Sequence, residues 1–299
     1  MNDKLFLNLR NQADKLFRHN RKGAYTTRSR YYEAYLRFLR YLADTFRLQK
    51  IANTLPKHLV AYVRYMQDKG MSASTIKTDL AAIRFWHDEI SAARYVLPPN
   101  DKLDLERRHS SQPNRAWSQE EYERLVQRAK EAGRNDYGDC ILLAWEIGLR
   151  IHEIMRIDAA IARDAVKTGT LTIKGKGGKE RQVKLTAPAK AVLQARLNVT
   201  APGQKLFVPQ GKQTDIAIKE LQNFIRKQRD AVQDDNREVP MTMHGGRHSY
   251  ASNKYEELRQ AGKSEDDAKY AVSRDLGHNR KDVTNMYLAK KAQAKTTRK

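Results

Sequence analysis

Hydrophobic side chains recur at helical spacing through the first ninety residues. Apolar positions three and four residues apart, from Tyr31 to Phe46, form one helical face. A second helix is predicted to begin at Thr54–Pro56 and to end at Gly70, and a third, capped by Ser74 or Thr75, to reach Ile90. Residues 1 to about 24 predict a short helix or arm. The pattern indicates a small helical bundle.

Helical periodicity stops between residues 98 and 113. This stretch contains Pro98-Pro99-Asn100 and a basic, serine-containing segment at 107–113, a composition typical of a linker. Ser118 and Glu121 then form a capping box, which predicts the start of the next helix. We therefore predict one domain at residues 1–112, with the linker beginning near residue 98, and a second at 113–299.

The second domain mixes helices with one small sheet. An apolar run at 141–147 predicts a buried helix that Gly148 interrupts. Residues 170–173 and 182–185 alternate with period two around a glycine-rich basic segment at 175–179, which predicts a β-hairpin. Helical patterns resume at Pro188. The expected fold class is mainly α with a small β-sheet.

Charge restricts the partners of the chain. The 299 residues include 57 Lys and Arg against 35 Asp and Glu, for a formal net charge of +22. This excess predicts a polyanionic partner, with nucleic acid favoured over an acidic membrane surface. No apolar run has the length of a membrane span, so we expect a soluble, intracellular protein. Cys140 is the single cysteine, which excludes an internal disulfide and a cysteine-based metal knuckle.

Candidate chemistry is concentrated between residues 244 and 287, with one partner upstream at Arg150. Two guanidinium groups can hold one phosphate through paired hydrogen bonds, imidazoles can donate hydrogen bonds to it or move protons, and a phenol oxygen can attack its phosphorus. This combination indicates phosphoryl transfer without a metal ion. The residues concerned are Arg150, His244, Arg247, His248, His278 and Tyr287.

The histidine motif and the hairpin segment each allow another interpretation. His244 and His248, four residues apart, could bind a metal with His278 as third ligand, but Arg247 between them would repel a cation. The hairpin segment is not a nucleotide-binding P-loop, because Gly177 follows Lys176 where that motif needs Ser or Thr. We therefore expect neither a metal nor another cofactor.

The order and spacing of these motifs resemble the tyrosine recombinases. The resemblance is carried by a Gly-Leu-Arg-x-x-Glu segment at 148–153, His-x-x-Arg-His at 244–248, Leu-Gly-His at 276–278, and Tyr287 nine residues further on. It implies an N-terminal helical, SAM-like core-binding domain that grips DNA, followed by an α+β catalytic domain. Gly246 stands where the family usually has leucine, so one apolar anchor of that helix is expected to be missing.

The resemblance also implies a role for each site residue. Tyr287 would attack DNA to form a 3′-phosphotyrosine, and Arg150 and Arg247 would clamp the phosphate. His244 and His278 would donate to it, and Lys176, in the hairpin, would protonate the leaving 5′ oxygen. Glu153 is expected to support the fold, and His248 to act behind the residues that touch DNA.

Further basic residues are candidates for DNA contact. Those on the first periodic helix, Arg30, Arg37 and Arg40, form a basic stripe that could equally be a solvated helix face. The candidates are Arg30, Arg37, Arg40, Lys77, Arg84, Lys174 and Lys179.

The resemblance implies partners as well as chemistry. Four copies, monomeric in free solution, would assemble on two double-stranded recombination sites in the bacterial cytoplasm, where accessory DNA-bending proteins could assist. Two rival functions remain open: a type IB topoisomerase-like enzyme, and a non-catalytic DNA-binding regulator with the same fold.

Overall fold

The structure is a computed structural model that describes residues 2–106, 113–175, 178, 180–277 and 287–288. The chain divides into two compact units, Met1–Ser111 and Gln112–Lys299, called here the N-terminal and C-terminal units. The predicted sites at Lys176, Lys179 and His278 lie outside the described residues.

Four α-helices form the described part of the N-terminal unit. They are α1 (Asp3–His19), α2 (Tyr25–Phe46), α3 (Pro56–Asp68) and α4 (Ala73–His87). The predicted apolar face of α2 is buried, with Tyr35, Phe38 and Leu42 no more than 1% exposed. Trp86 of α4 is fully buried in the same core. Burying each such large side chain contributes roughly 1.5–3 kcal/mol, which is what holds these helices together.

The predicted cap of α4 was wrong. Ser72, rather than Ser74 or Thr75, lies at the N-cap, and its Oγ accepts a hydrogen bond from the Thr75 backbone N–H at 3.2 Å. The helix begins earlier because Ser72 has the extended backbone that a capping residue needs, whereas Ser74 and Thr75 are already helical.

The C-terminal unit is helical around a two-stranded antiparallel sheet. Its described helices are α5 (Gln119–Glu131), α6 (Asn135–Ile147), α7 (Ile151–Ile154), α8 (Ala159–Thr168), α9 (Ala187–Val199), α10 (Thr214–Val232), α11 (Met243–Gln260) and α12 (Glu265–Asp275). The strands are β1 (Thr170–Lys174) and β2 (Glu180–Lys184), with Leu171 opposite Val183. This confirms the predicted hairpin and the mainly α fold class. Buried α6 packs against α5, α9 and α11.

Two predicted helix signals of this unit are confirmed. The Ser118 Oγ accepts from the Glu121 backbone N–H while the Glu121 carboxylate accepts from that of Ser118, which is the expected capping box at the start of α5. At the other signal, α6 ends at Ile147 and Gly148 takes a left-handed φ of 65°. A Cβ on Gly148 would lie 2.5 Å from Tyr250 Cδ1, so this turn requires glycine.

Cys140 is buried in α6, and burial raises the pKa of its thiol well above the ordinary value. Across the part of the chain that the structure describes, every helix is too short or too polar to cross a bilayer.

Candidate active site

Arg150 is held in place by the turn between α6 and α7. After Gly148 redirects the chain, Arg150 becomes the N-cap residue of α7. Its backbone N–H donates to Glu153 Oε2 at 2.8 Å, and its Nη1 donates to Glu153 Oε1 at 2.9 Å. One carboxylate thus fixes both the backbone and the guanidinium of Arg150, whose side chain remains 25% exposed.

Glu153 is a buried charge shared by several arginines. Its side chain is fully buried, and its two oxygens also accept from Nη1 and Nη2 of Arg181, both at 2.8 Å. Burial alone would raise the pKa of this carboxyl, but the hydrogen bonds and charge of Arg181, the Arg150 backbone and the charge of Arg247 hold the pKa at about 2. Glu153 is therefore ionised at neutral pH, and it supports the fold as predicted.

Arg247 lies in the first turns of α11 and is fully buried. Its Nη1 donates to the Gly148 carbonyl at 2.5 Å, and its Nη2 donates to the Leu276 carbonyl. Burial and the nearby charge of Arg150 lower the pKa of Arg247 to about 10, so the guanidinium remains charged at neutral pH. The two bonds connect α11 to the turn before Arg150 and to the residues just before His278.

Tyr287 packs directly against the two histidines of α11. Its ring centroid is 4.5 Å from that of His248, in a stacked arrangement, and 5.6 Å from that of His244. The Arg247 guanidinium carbon lies 5.7 Å from the Tyr287 ring centroid. One cluster therefore contains a phenol, two imidazoles and a guanidinium, although these groups lie up to forty-three positions apart in the sequence.

The two histidines differ in their exposure. His248 is buried, and burial, with His244 and Arg115, lowers its pKa to about 3. His244 is exposed, yet partial desolvation and the charges of Arg247 and Arg150 lower its pKa as well. Both rings are neutral at neutral pH, so each carries one N–H donor. His244 is the one placed to reach a ligand, whereas His248 packs behind Tyr287.

Arg150 borders two cavities. One, of about 1360 Å³, lies between the hairpin, the middle of α11 and α12, and is also lined by Arg181. The other, of about 410 Å³, is lined by Arg150, His244 and polar residues of α10, among them Arg226. Among the residues that the structure describes, no three metal-ligating side chains converge on a common point.

The pair Gly245-Gly246 allows Trp117 to lie against α11. A Cβ on Gly246 would come within 2.8 Å of Trp117 Cζ3 and 3.2 Å of the Ala144 Cβ. The Trp117 backbone N–H also donates to Ser249 Oγ at 2.7 Å. As expected, α11 has no apolar side chain at position 246, and the indole of Trp117 occupies the space beside Gly246 instead.

Gly245→Ala is expected to lower the free energy of unfolding by about 3 kcal/mol. The new Cβ would lie 2.6 Å from Trp117 Cδ1 and 2.7 Å from the Arg115 carbonyl oxygen, and neither backbone nor buried indole can easily move away. Chemical denaturation measures the change. Gly138→Ala is the matched control, because its Cβ would meet only the Ala129 Cβ at 3.8 Å; equal stability of the two variants would contradict the argument.

The basic residues predicted to contact DNA lie in different environments. Arg30 is exposed on α2, and Lys174 is exposed at the end of β1. Arg37 donates to both oxygens of buried Asp79, at 2.8 and 3.3 Å. The remaining three make intramolecular contacts: Arg40 with Asp3 and the Phe6 ring, Lys77 with the Glu106 carbonyl, and Arg84 with the Pro98 carbonyl and Asn100.

Sequence reasoning missed two residues of this site, Arg181 and Trp117. A signal for Arg181 was present, since period-two alternation places it on the same inward face of β2 as buried Val183. A charged residue on a buried face indicates a buried partner. Nothing in the local pattern around Trp117 pointed to a glycine pair about 130 positions away.

Two family matches together span most of the chain. Residues 115–294 match the phage integrase family, and residues 16–92 match the phage integrase N-terminal SAM-like domain. Tyrosine recombinase XerD of Caulobacter vibrioides is 30% identical over 162 residues, which cover 51% of this chain and 49% of that protein. The matched part thus spans about half the length of that curated relative.

Solved structures share the fold at lower identity. The lambda integrase dimer bound to a COC′ core site has a TM-score of 0.67 and 14% identity, over 92% of this chain and 75% of that one. XerH recombinase bound to palindromic difH substrate, a post-cleavage complex, has a TM-score of 0.60 and 19% identity, over 88% of this chain and 77% of that one. With the family match extending over more than half of its residues, the chain belongs to the phage integrase family of tyrosine recombinases.

Proposed function

We propose that this chain is a site-specific DNA recombinase that cuts and rejoins DNA through a 3′-phosphotyrosine at Tyr287. The observation that carries the proposal is the packing of the Tyr287 ring against His244, His248 and the Arg247 guanidinium. A phenol has an ordinary pKa near 10, so its oxygen needs a cationic surrounding to act as a nucleophile at neutral pH. Arg247 and Arg150 supply that positive charge.

The phosphate would be held by the two arginines before the attack. Arg150 borders both cavities and is partly exposed, so a DNA phosphate can approach it from solvent. Arg247 is fully buried beside the Tyr287 ring, so contact between this guanidinium and DNA requires the groups that cover it to move when DNA binds. His244, exposed and neutral, would donate its N–H to a phosphate oxygen.

The covalent step exchanges one phosphodiester for another. The Tyr287 hydroxyl loses its proton to solvent as its oxygen forms a bond to phosphorus, the bond from phosphorus to the 5′ oxygen breaks, and Lys176 gives that oxygen its proton. His278 would donate to a non-bridging oxygen. A 5′-hydroxyl of a second strand then gives its proton to Lys176 and attacks the phosphotyrosine, the bond from phosphorus to the Tyr287 oxygen breaks, and that oxygen regains a proton from solvent. Because the phosphoester bond is conserved at each step, the exchange consumes no ATP, and positioning with charge stabilisation lowers the barrier.

The proposed assembly contains four copies of the chain, because each exchange joins strands from two DNA sites. Four copies on two double-stranded recombination sites would provide four nucleophiles, used in pairs, with the chain a monomer before it binds DNA. Accessory DNA-bending proteins would serve where the two sites must be brought together. Integration of a mobile element is the task that we favour.

Trapping the covalent intermediate tests the proposal. The protein is incubated with nicked DNA carrying a candidate recombination site, taken from the DNA that flanks its gene, in the presence of EDTA. We expect a protein–DNA adduct on a denaturing gel, and peptide mapping should place it on Tyr287. Bound DNA without an adduct would favour a non-catalytic regulator, and relaxation of supercoiled plasmid without strand exchange would favour a type IB topoisomerase-like enzyme.

Replacing Arg30 with alanine is expected to reduce the salt dependence of DNA binding. Each neutralised phosphate contributes roughly −0.9 to the slope of log affinity against log salt concentration, so the loss of one contact makes the slope shallower by about that amount. Fluorescence anisotropy at several salt concentrations measures the slope. An unchanged slope would mean that the exposed Arg30 is only a solvated side chain.

Arg37→Ala is the contrasting variant on the same helix. Its loss leaves the carboxylate of Asp79, only 3% exposed, without its two hydrogen bonds from Arg37, so the N-terminal unit should be destabilised. The Arg30 variant should unfold like the wild type, since that side chain lies at the surface.

A further inference from the structure

Arg181 connects three segments of the C-terminal unit through one side chain. It stands on β2 opposite Ile173, and its side chain is only 10% exposed. Its Nη1 and Nη2 donate to the two oxygens of Glu153 at 2.8 Å, and its Nε donates to the Asp275 carbonyl oxygen at 3.0 Å. The hairpin, the α7 carboxylate and the end of α12 are thereby joined at one guanidinium.

The carboxylate that Arg181 holds is the one that positions Arg150. Glu153 Oε1 accepts from both Arg150 Nη1 and Arg181 Nη1, and Oε2 accepts from both the Arg150 backbone N–H and Arg181 Nη2. The Arg247 Nη1 lies 3.9 Å from the same Oε2. A rotation of the Glu153 carboxylate would therefore change the position of Arg150, and Arg181 prevents that rotation by binding both oxygens.

We propose that Arg181 is a positioning residue for DNA cleavage, which acts on Arg150 through Glu153. The inference rests on the proposed function and adds to it a residue that acts through another side chain. The guanidinium suits this role because its planar donors match both carboxylate oxygens and still leave Nε for the Asp275 carbonyl. A lysine ammonium would retain the positive charge beside Glu153 without this geometry.

The segment that follows α12, at Leu276 and Gly277, lies against the Arg181 side chain. Gly277 has a left-handed φ of 70°, and a Cβ on it would lie 2.8 Å from Arg181 Cδ. The Arg181 stem therefore fills the space beside Gly277. The contact extends the connection made by Arg181 to the Leu276-Gly277 turn, whose Leu276 carbonyl accepts from Arg247.

Arg181→Lys tests the proposal, with Arg196→Lys as matched control. Arg196 pairs with Asp139 at 2.6 Å in the same unit and lies outside the cluster. We expect single-turnover cleavage by the Arg181 variant, at saturating DNA, to slow by about 30-fold, because a misplacement of 1 Å can cost on the order of 100-fold in rate. DNA affinity should change less than about twofold, and the control should cleave like the wild type. Arg181→Gln replaces the lysine variant if the latter does not fold.

A double-mutant cycle with Arg150→Lys separates positioning from general structural support. If Arg181 acts through Arg150, the Arg181 change should cost less than about threefold once Arg150 is already lysine. The same loss in both backgrounds, or no loss in the wild-type background, would overturn the proposal. Wild-type protein that forms no Tyr287 adduct would instead refute the proposed function, so the two failures are distinguishable.

Discussion

Tyr287→Phe is expected to lower the rate of DNA cleavage by about 1000-fold or more, with DNA affinity changed less than about twofold. The variant removes the oxygen that attacks phosphorus and keeps the aromatic ring. That ring makes the stacked contact with His248 at 4.5 Å and the edge contact with His244 at 5.6 Å, so the packing of the cluster should survive. The substitution therefore isolates the chemical role of the hydroxyl.

Single-turnover cleavage of a nicked substrate measures the rate, and anisotropy measures the affinity. Tyr250→Phe is a useful control, because Tyr250 is a tyrosine of α11 whose hydroxyl donates to Asp275 Oδ2 at 3.2 Å. The Tyr250 variant should change the free energy of unfolding only slightly and should still form the protein–DNA adduct at Tyr287. If the Tyr287 variant cleaved DNA at the wild-type rate, Tyr287 could not be the nucleophile.

Glu153→Gln is expected to lower the free energy of unfolding by about 3 kcal/mol, because it leaves Arg150, Arg181 and Arg247 without the carboxylate that they surround. The pKa of Glu153 gives a similar magnitude. A fall from the ordinary value of 4.5 to about 2 corresponds to about 3 kcal/mol in favour of the folded state at neutral pH. Cleavage should fall as well, since Arg150 loses its orientation.

The stability difference between wild type and Glu153→Gln is expected to depend on pH. A depressed carboxyl pKa stabilises the folded chain above pH 4.5, and this contribution is lost as the pH falls towards 2. The stability difference between wild type and Glu153→Gln should therefore narrow over that interval. Denaturant unfolding at pH 7, 4.5 and 3 measures it, with Asp139→Asn as a carboxylate control outside the cluster. A constant difference would mean that Glu153 does not titrate as described.

Local sequence patterns predicted the helices and strands and most of the side-chain cluster around Tyr287. The buried face of α2, the capping box of α5, the hairpin and the break at Gly148 are each set by residues a few positions apart, so periodicity and turn chemistry reveal them. Arg150, Arg247 and Tyr287 were found because their spacing resembles a family. Glu153 was recognised as a supporting residue because it lies one helical turn after Arg150.

Contacts between distant segments were not predictable in this way. The bonds from Arg181 to Glu153 span 28 positions, and that from Trp117 to Ser249 spans 132. Such pairs depend on how α6, α11 and the hairpin pack, which no local pattern encodes. The Arg37–Asp79 pair, 42 positions apart, likewise shows why a basic stripe alone does not separate a structural arginine from a DNA contact.

The buried thiol of Cys140 makes the chain a convenient subject for labelling experiments. Because it is the single cysteine and lies in the core of the C-terminal unit, a maleimide dye can reach it only when that unit opens. The labelling rate of the wild-type chain thus reports the opening of one unit, independently of the other. A second cysteine introduced at exposed Val199 would react at once, and would accept a fluorophore without prior removal of the native thiol.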